Sequence, residues 1–278
     1  MIWARSLAFN FAFFAWTVIA GTIGLPFLIA PRAVTMQFGR FWARIALALL
    51  RVIVGLEHEI RGLDHVPRGA CIIAMKHQSA WDTLIPLVLF RDHAAVAKRE
   101  LMLLPIYGWY AARAGSISVD RKAGSNALRR LVAAARPVAA DGRPIVIFPQ
   151  GTRVAPGARF PYQPGVAALY QALSLPLVPA AVNSGYFWGR RSFVKRPGRI
   201  VLEFLEPIPP GWPRRKLMAE LEQRIETATA ALLREAQLPL KAPASLVSAR
   251  ASGGDNAVWP VLGARRPRSA PRPRRARP

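Results

Sequence analysis

The chain opens on an unbroken apolar run. Leu7 to Ala30 reads LAFNFAFFAWTVIAGTIGLPFLIA and holds no charged residue. About 20 apolar residues suffice for a helix to cross a bilayer, so the run is long enough. Gly24 and Pro26 interrupt it near its end, which leaves open whether it crosses or dips into one leaflet. A signal peptide with Arg5 as its basic flank is the competing reading. The run exceeds the roughly 7–15 residues of a signal h-region, and no small-x-small cleavage site follows. From Val34 to Leu56 the pattern changes. Arg40, Arg44 and Arg51 fall on one helical face, and Phe41, Ile45, Leu49 and Ile53 on the adjacent one. That spacing predicts a helix in the headgroup region with its arginines toward anionic lipid; a surface helix packed on the folded domain is the alternative. Residues 1–56 then form a membrane-anchoring helical hairpin joined near Pro31.

Beyond residue 57 short apolar runs alternate with longer periodic ones. The runs Ala70–Met75, Ala94–Ala97, Ser116–Val119, Pro144–Phe148, Leu177–Val182 and Ile200–Phe204 predict strands. Several are continuously apolar, the mark of strands buried on both faces. Helices are predicted over Ser79–Phe90, Pro105–Ala114, Ser125–Ala140, Gly165–Leu173 and Pro213–Glu235. The alternation implies an α/β domain over 57–240, with helices on the faces of the sheet. After Pro239 the chain turns to Ala, Pro, Ser, Gly and Arg, and residues 241–278 read as a disordered basic tail.

The whole chain carries a formal net charge of +24 over 278 residues, with 52% hydrophobic residues. Such a balance calls for an anionic partner: anionic lipid, a phosphorylated substrate or nucleic acid. A membrane-tethered nucleic-acid-binding protein is therefore the reading from a different class. The core lacks the aromatic and basic interleaving of a nucleic-acid surface, and a basic tail beside a bilayer is equally well matched to anionic lipid. Cys71 is the one cysteine, so no intrachain disulfide and no cysteine-based metal site can form. His58, His65 and His93 lack metal-site spacing, and neither a G-x-S-x-G elbow nor a G-x-x-x-x-G-K-[ST] loop occurs.

Two stretches at strand ends carry chemistry. In His77-Gln78-Ser79-Ala80-Trp81-Asp82 the His and Asp are five residues apart, about 500° on a continuous helix, so they cannot face each other there. They meet if His77 lies in the loop and Asp82 in the first helical turn. The carboxylate then fixes the imidazole tautomer and leaves the other nitrogen basic. The same residues fit an S-x-x-D capping box, in which Asp82 merely caps a helix. In Phe148-Pro149-Gln150-Gly151-Thr152-Arg153, Gly151 permits close backbone approach and Arg153 offers a planar fork for phosphate; a turn with a solvated Arg is the plain alternative.

The ordered set of blocks resembles the glycerolipid acyltransferases. His77 to Asp82 matches their H-x4-D block. Ala97-Lys98-Arg99-Glu100-Leu101, Pro105 to Trp109 and Gly115 to Arg121 match the second. Phe148 to Arg153 matches F-P-E-G-T-R, with Gln150 where the family has Glu, and Leu177-Val178-Pro179-Ala180 matches the fourth. The resemblance covers about residues 35–210. It implies a mixed central sheet flanked by helices and a direct acyl transfer, from acyl-CoA or acyl carrier protein to the sn-2 hydroxyl of lysophosphatidic acid. In that transfer His77 is the general base, oriented by Asp82. It further implies Lys98, Arg121, Gln150, Gly151, Thr152 and Arg153 as acceptor-binding residues, with the cations on the phosphate. Backbone N–H groups near Gly151 are candidate oxyanion donors. No metal or redox cofactor is required. The neutral Gln150 opens an alternative acceptor, such as a lyso-ornithine lipid. Arg32, Arg40 and Arg44 flanking the hairpin imply a bacterial inner membrane protein with its catalytic domain on the cytoplasmic side.

Overall fold

The computed structural model describes residues 1–120 and 124–237. Helix α1 (Ile2–Ile23) leads through a short 3-10 turn at Leu25–Leu28 into α2 (Arg32–Leu49), which unwinds through a π turn to Gly55. The α/β body follows as β1 (Leu56–Arg61), β2 (Ile72–Met75), α3 (Trp81–Leu89), β3 (Ala94–Lys98), α4 (Arg99–Met102), α5 (Tyr107–Arg113), β4 (Ile117–Val119), α6 (Gly124–Ala140), β5 (Ile145–Ile147), α7 (Gly165–Leu173), β6 (Leu177–Val182), α8 (Ser184–Phe187), β7 (Gly198–Phe204) and α9 (Arg214–Gln237). Among the described residues the sheet has seven strands in the order β1-β7-β6-β2-β5-β3-β4. It is mixed, as the resemblance implied: β6 and β7 run antiparallel, and the other neighbours are parallel.

The continuous apolar runs have the origin expected of them. Along β2, Ile73 and Met75 point into one core with Trp81, Phe9 and Leu50, whereas Ile72 and Ala74 point into the other with Leu131, Tyr170 and Leu221. Side chains alternate across a strand, so a strand covered on both faces must be apolar at every position. The first core lies under α1, α2 and α3, and the second under α6, α7 and α9.

Strand β1 was not predicted. Its sequence, Leu-Glu-His-Glu-Ile-Arg, pairs among the described residues only with β7 at the sheet edge, where Arg61 meets Glu59 and Glu235. An edge strand bearing charges lacks the apolar run that marks the inner strands.

One reading of the hairpin changes. Arg40 does not face lipid: its Nε and Nη2 donate to the carbonyls of Leu87 and Phe90, the open carbonyls at the end of α3, at 3.2 and 2.9 Å. Arg51 pairs with Glu57 at 3.2 Å, and Arg44 remains exposed. The plainer expectation for α2, a helix packed on the domain, is therefore the observed one at Arg40. Helix α1 is long and apolar enough to cross a membrane by length and composition. It exposes Trp3, Leu7, Phe11, Phe14 and Val18, spaced by three or four residues along one side. Its other side is fastened at both ends. Near the start, Ser6 Oγ accepts from the Lys195 N–H at 2.9 Å, and Phe9 packs edge-on against Trp188. Near the end, the Gly21 carbonyl accepts from the Tyr110 hydroxyl at 3.2 Å. The predicted basic tail, residues 241–278, lies outside the described residues.

Candidate active site

The first and third blocks, and the described strand ends of the second, arrive at one edge of the sheet; the fourth block lies within β6. Strands β6, β2, β5, β3 and β4 are mutually parallel, so their carboxyl ends line up, and the loops leaving those ends form the rim where ligands of open α/β sheets bind. His77 leaves β2, the segment Phe148 to Arg153 leaves β5, Lys98 ends β3, and Asp120 follows β4. Sequence separation of more than seventy residues between the first and third blocks is cancelled by one strand pairing.

His77 sits in the loop and Asp82 in the first turn of α3. The imidazole Nδ1 lies 2.9 Å from Asp82 Oδ2. The same oxygen accepts the backbone N–H groups of Gln78 and Ser79 at 2.6 and 2.7 Å, and the Ser79 hydroxyl accepts from the Trp81 N–H at 3.2 Å. One carboxylate oxygen thus gathers the His ring and the backbone just ahead of α3, whose N-cap residue, Ala80, makes no side-chain cap bond. Asp82 closes the helix entry and at once holds the His ring, with Nδ1 as donor because a carboxylate only accepts. Asp82 is fully buried, and the His77 side chain is 11% exposed. Among the described residues no partner binds His77 Nε2. The ring is further held by Phe148, stacked on it with centroids 4.0 Å apart and planes at 21°.

The loop after β5 is tied to this centre. The Val154 N–H donates to the His77 carbonyl at 2.8 Å, and Gln163 N–H to Pro149 O at 2.7 Å. Thr152 and Arg153 are half-buried. Burial foremost, together with the neighbouring Arg190, pulls the Arg153 guanidinium below its ordinary value, against the opposing field of Asp82. A partly desolvated arginine beside a second one is a strong seat for an anion. Gly151 adopts φ +69°, which suits glycine, and its N–H donates to the Phe148 carbonyl at 2.8 Å. That N–H is therefore engaged, which leaves the neighbouring backbone N–H groups near Gly151 as the candidate oxyanion donors. Gln150 is buried, and both its amide atoms lack a partner among the described residues.

Lys98 is exposed at the end of β3. Its neighbour Arg99 pairs with Asp120 at 2.9 Å, tying the ends of β3 and β4 together. Arg121 lies outside the described residues. Sequence reasoning passed over three contributors to the centre. Phe148 is an apolar residue at the end of β5, and its spacing signals no chemistry. Ser184, on α8, donates its hydroxyl to Asp82 Oδ1 at 2.5 Å, and Gly185 donates its N–H to Gln78 Oε1 at 3.0 Å. Nothing in the local pattern signals a contact between residues 102 positions apart.

The acyltransferase family profile matches residues 57–183, from β1 to the end of β6. The chain is 34% identical over 226 residues to a 1-acyl-sn-glycerol-3-phosphate acyltransferase of Pseudomonas aeruginosa, covering 80% of this chain and 87% of the relative. A protein of the same description from Limnanthes alba is 26% identical, over 71% of each chain. The fold matches the crystal structure of the 1-acyl-sn-glycerophosphate (LPA) acyltransferase of Thermotoga maritima with a TM-score of 0.69 at 20% identity, covering 85% of this chain and 97% of that one. The chain belongs to the acyltransferase family.

Proposed function

We propose that this protein transfers a fatty acyl group from a thioester, acyl-CoA or acyl carrier protein, to the sn-2 hydroxyl of lysophosphatidic acid, giving phosphatidic acid. The observation that carries the reading is an imidazole fixed through Nδ1 by Asp82, with Nε2 left without a described partner at the ligand-binding rim of the sheet. In the first step Nε2 takes the proton of the acceptor hydroxyl as its oxygen attacks the thioester carbonyl. In the second the tetrahedral intermediate collapses, the carbon–sulfur bond breaks, and the departing thiolate takes that proton back from the imidazolium. Asp82 steadies the positive charge that His77 carries in between. No metal or redox group enters these steps.

Arg153, half-buried beside this pair, is the main candidate for the acceptor's phosphate, with Lys98 and Arg121 in support as the resemblance implies. The buried Gln150 amide, lacking a described partner, is a candidate to hydrogen-bond the acceptor. The test is turnover of lysophosphatidic acid by purified protein, with each donor in turn and with lyso-ornithine lipid as competing acceptor. His77→Ala should lower the rate about 10²–10⁴-fold. Equal rates for wild type and His77→Ala would end the reading.

The finer reading of location is attachment to one leaflet of a bacterial inner membrane, with the catalytic domain on the cytoplasmic side. Support comes from α1. Residues 6 and 21, separated by about 22 Å along the helix axis, both bond to the α/β body, while Leu7, Phe11, Phe14 and Val18 between them stay exposed. A helix held to one domain at both ends lies along a membrane surface more readily than through it. Single cysteines placed at residues 3 and 27 should label from the same side of sealed vesicles; labelling from opposite sides would refute one-leaflet attachment.

A further inference from the structure

Asp82 has two carboxylate oxygens, and they are held differently. Oδ2 receives three donors, all from residues 77 to 79, so the H-x4-D block is self-sufficient there. Oδ1 receives one side-chain hydroxyl, that of Ser184, from the far side of the β2–β6 pairing. We propose that Ser184 is a positioning residue for acyl transfer, fixing the rotation of the Asp82 carboxylate so that Oδ2 stays in line with His77 Nδ1. The proposal rests on His77 being the base.

The turn that carries Ser184 is built to hold it still. On one side of it, Asn183 Oδ1 accepts the Val201 N–H at 2.8 Å, and Asn183 Nδ2 donates to the Leu232 carbonyl at 3.3 Å, pinning the turn to β7 and α9. On the other side, Gly185 donates its N–H to Gln78 Oε1. A Cβ at Gly185 would lie 2.8 Å from Gln78 Cβ and 3.0 Å from Pro156, so only glycine lets this turn come so near the loop of His77. Asn183, Ser184 and Asp82 are all buried. Water is therefore not at hand to replace the hydroxyl, and Oδ1 stripped of it would be a buried acceptor without a partner, free to seek another by turning the carboxylate.

A hydroxyl that donates to a carboxylate also draws charge from it. Removing the donor leaves more negative charge facing His77, which favours the imidazolium. The charged groups nearest the pair from other elements are Arg153, on the loop after β5, and Arg190 beside it; a change at residue 184 leaves both in place. Ser184→Ala should lower kcat about 10- to 100-fold with KM for lysophosphatidic acid little changed. The acid limb of the kcat/KM profile should move to higher pH, by about half a unit or more. Ser184→Cys, close in size and a weaker donor, should fall between wild type and alanine in both readouts.

The measurement is the pH profile of purified wild type, Ser184→Ala, Ser184→Cys and His77→Ala, with acyl-CoA and lysophosphatidic acid, alongside thermal midpoints. If Ser184→Ala does not fold, the cysteine variant decides alone by the same direction of shift. An acid limb unmoved in the folded variants, or a kcat within twofold of wild type, overturns the role of Ser184. Activity retained by His77→Ala overturns instead the base on which it stands, so the two failures are told apart.

Discussion

The imidazole of His77 lies almost flat on the ring of Phe148, at 4.0 Å between centroids. One residue leaves β2 and the other leaves β5, so the stack exists only because those strands pair, Ile72 with Ile145 through Ala74 with Ile147. The contact restrains the ring's tilt, while Asp82 restrains its direction. Phe148→Ala should therefore lower kcat between about ten- and a hundredfold, the scale of a misplaced catalytic group, with His77 and Asp82 intact. Steady-state kinetics with Phe148→Tyr as the ring-preserving control check this. Equal losses in both variants would show that stacking is not what matters.

Arg40 and Arg44 lie one helical turn apart and are expected to behave oppositely. Arg40→Met removes two charged hydrogen bonds to the last carbonyls of α3 and should cost about 1–3 kcal/mol of stability, leaving binding to anionic vesicles as it was. Arg44→Gln, at an exposed position, should leave the melting temperature in place and weaken vesicle binding by about 1 kcal/mol. Chemical denaturation and vesicle sedimentation measure the two effects. Weaker vesicle binding by Arg40→Met would restore the lipid-facing reading.

Lys76, next to the catalytic loop, is buried with its Nζ 2.5 and 2.7 Å from the two Glu226 carboxylate oxygens, one of which also accepts from the Tyr162 hydroxyl at 2.9 Å. Glu226 is about one-third exposed, so the pair is partly solvated on that side. Glu226→Gln leaves the lysine without its counter-charge and should destabilise by about 3 kcal/mol, the low end for a buried pair. The double variant Lys76→Met, Glu226→Gln should recover much of that loss. A double variant no more stable than Glu226→Gln would contradict the argument.

His93 is buried, and its Nδ1 has no partner among the described residues. Burial foremost, then the Arg143 charge, pushes its imidazole from 6.5 down to about 4. The folded state thus resists a proton that the unfolded chain takes up near 6.5. The stability contribution is whole above that pH and declines as the pH falls toward 4, by about 3 kcal/mol in total. Denaturant midpoints of His93→Gln should show a shallower decline between pH 6.5 and 4 than wild type; parallel curves would refute this.

Much of the architecture was legible in the chain because burial leaves a periodic trace. Leu177–Val182 and Gly165–Leu173 are observed with the bounds expected of them, since strands covered on both faces are apolar throughout and the helices between them repeat every three to four residues. Strand β1 left no such trace, because an edge strand tolerates charge. Arg40 was misread for a related reason: periodicity gives the face of a helix but not what lies opposite that face, and here it was the end of α3.

The sequence by itself determined the pairing of His77 with Asp82, since a loop followed by a first helical turn brings residues five apart together through local geometry alone. It also determined the class of fold and the blocks that mark the acyltransferase family. Tertiary structure decided everything that needed two strands to be neighbours: Phe148 beneath the imidazole, Ser184 on the free oxygen of Asp82, and Arg153 within the field of that carboxylate. These contacts span about seventy to one hundred residues, and no spacing rule along a chain encodes a distance that parallel strand order alone creates.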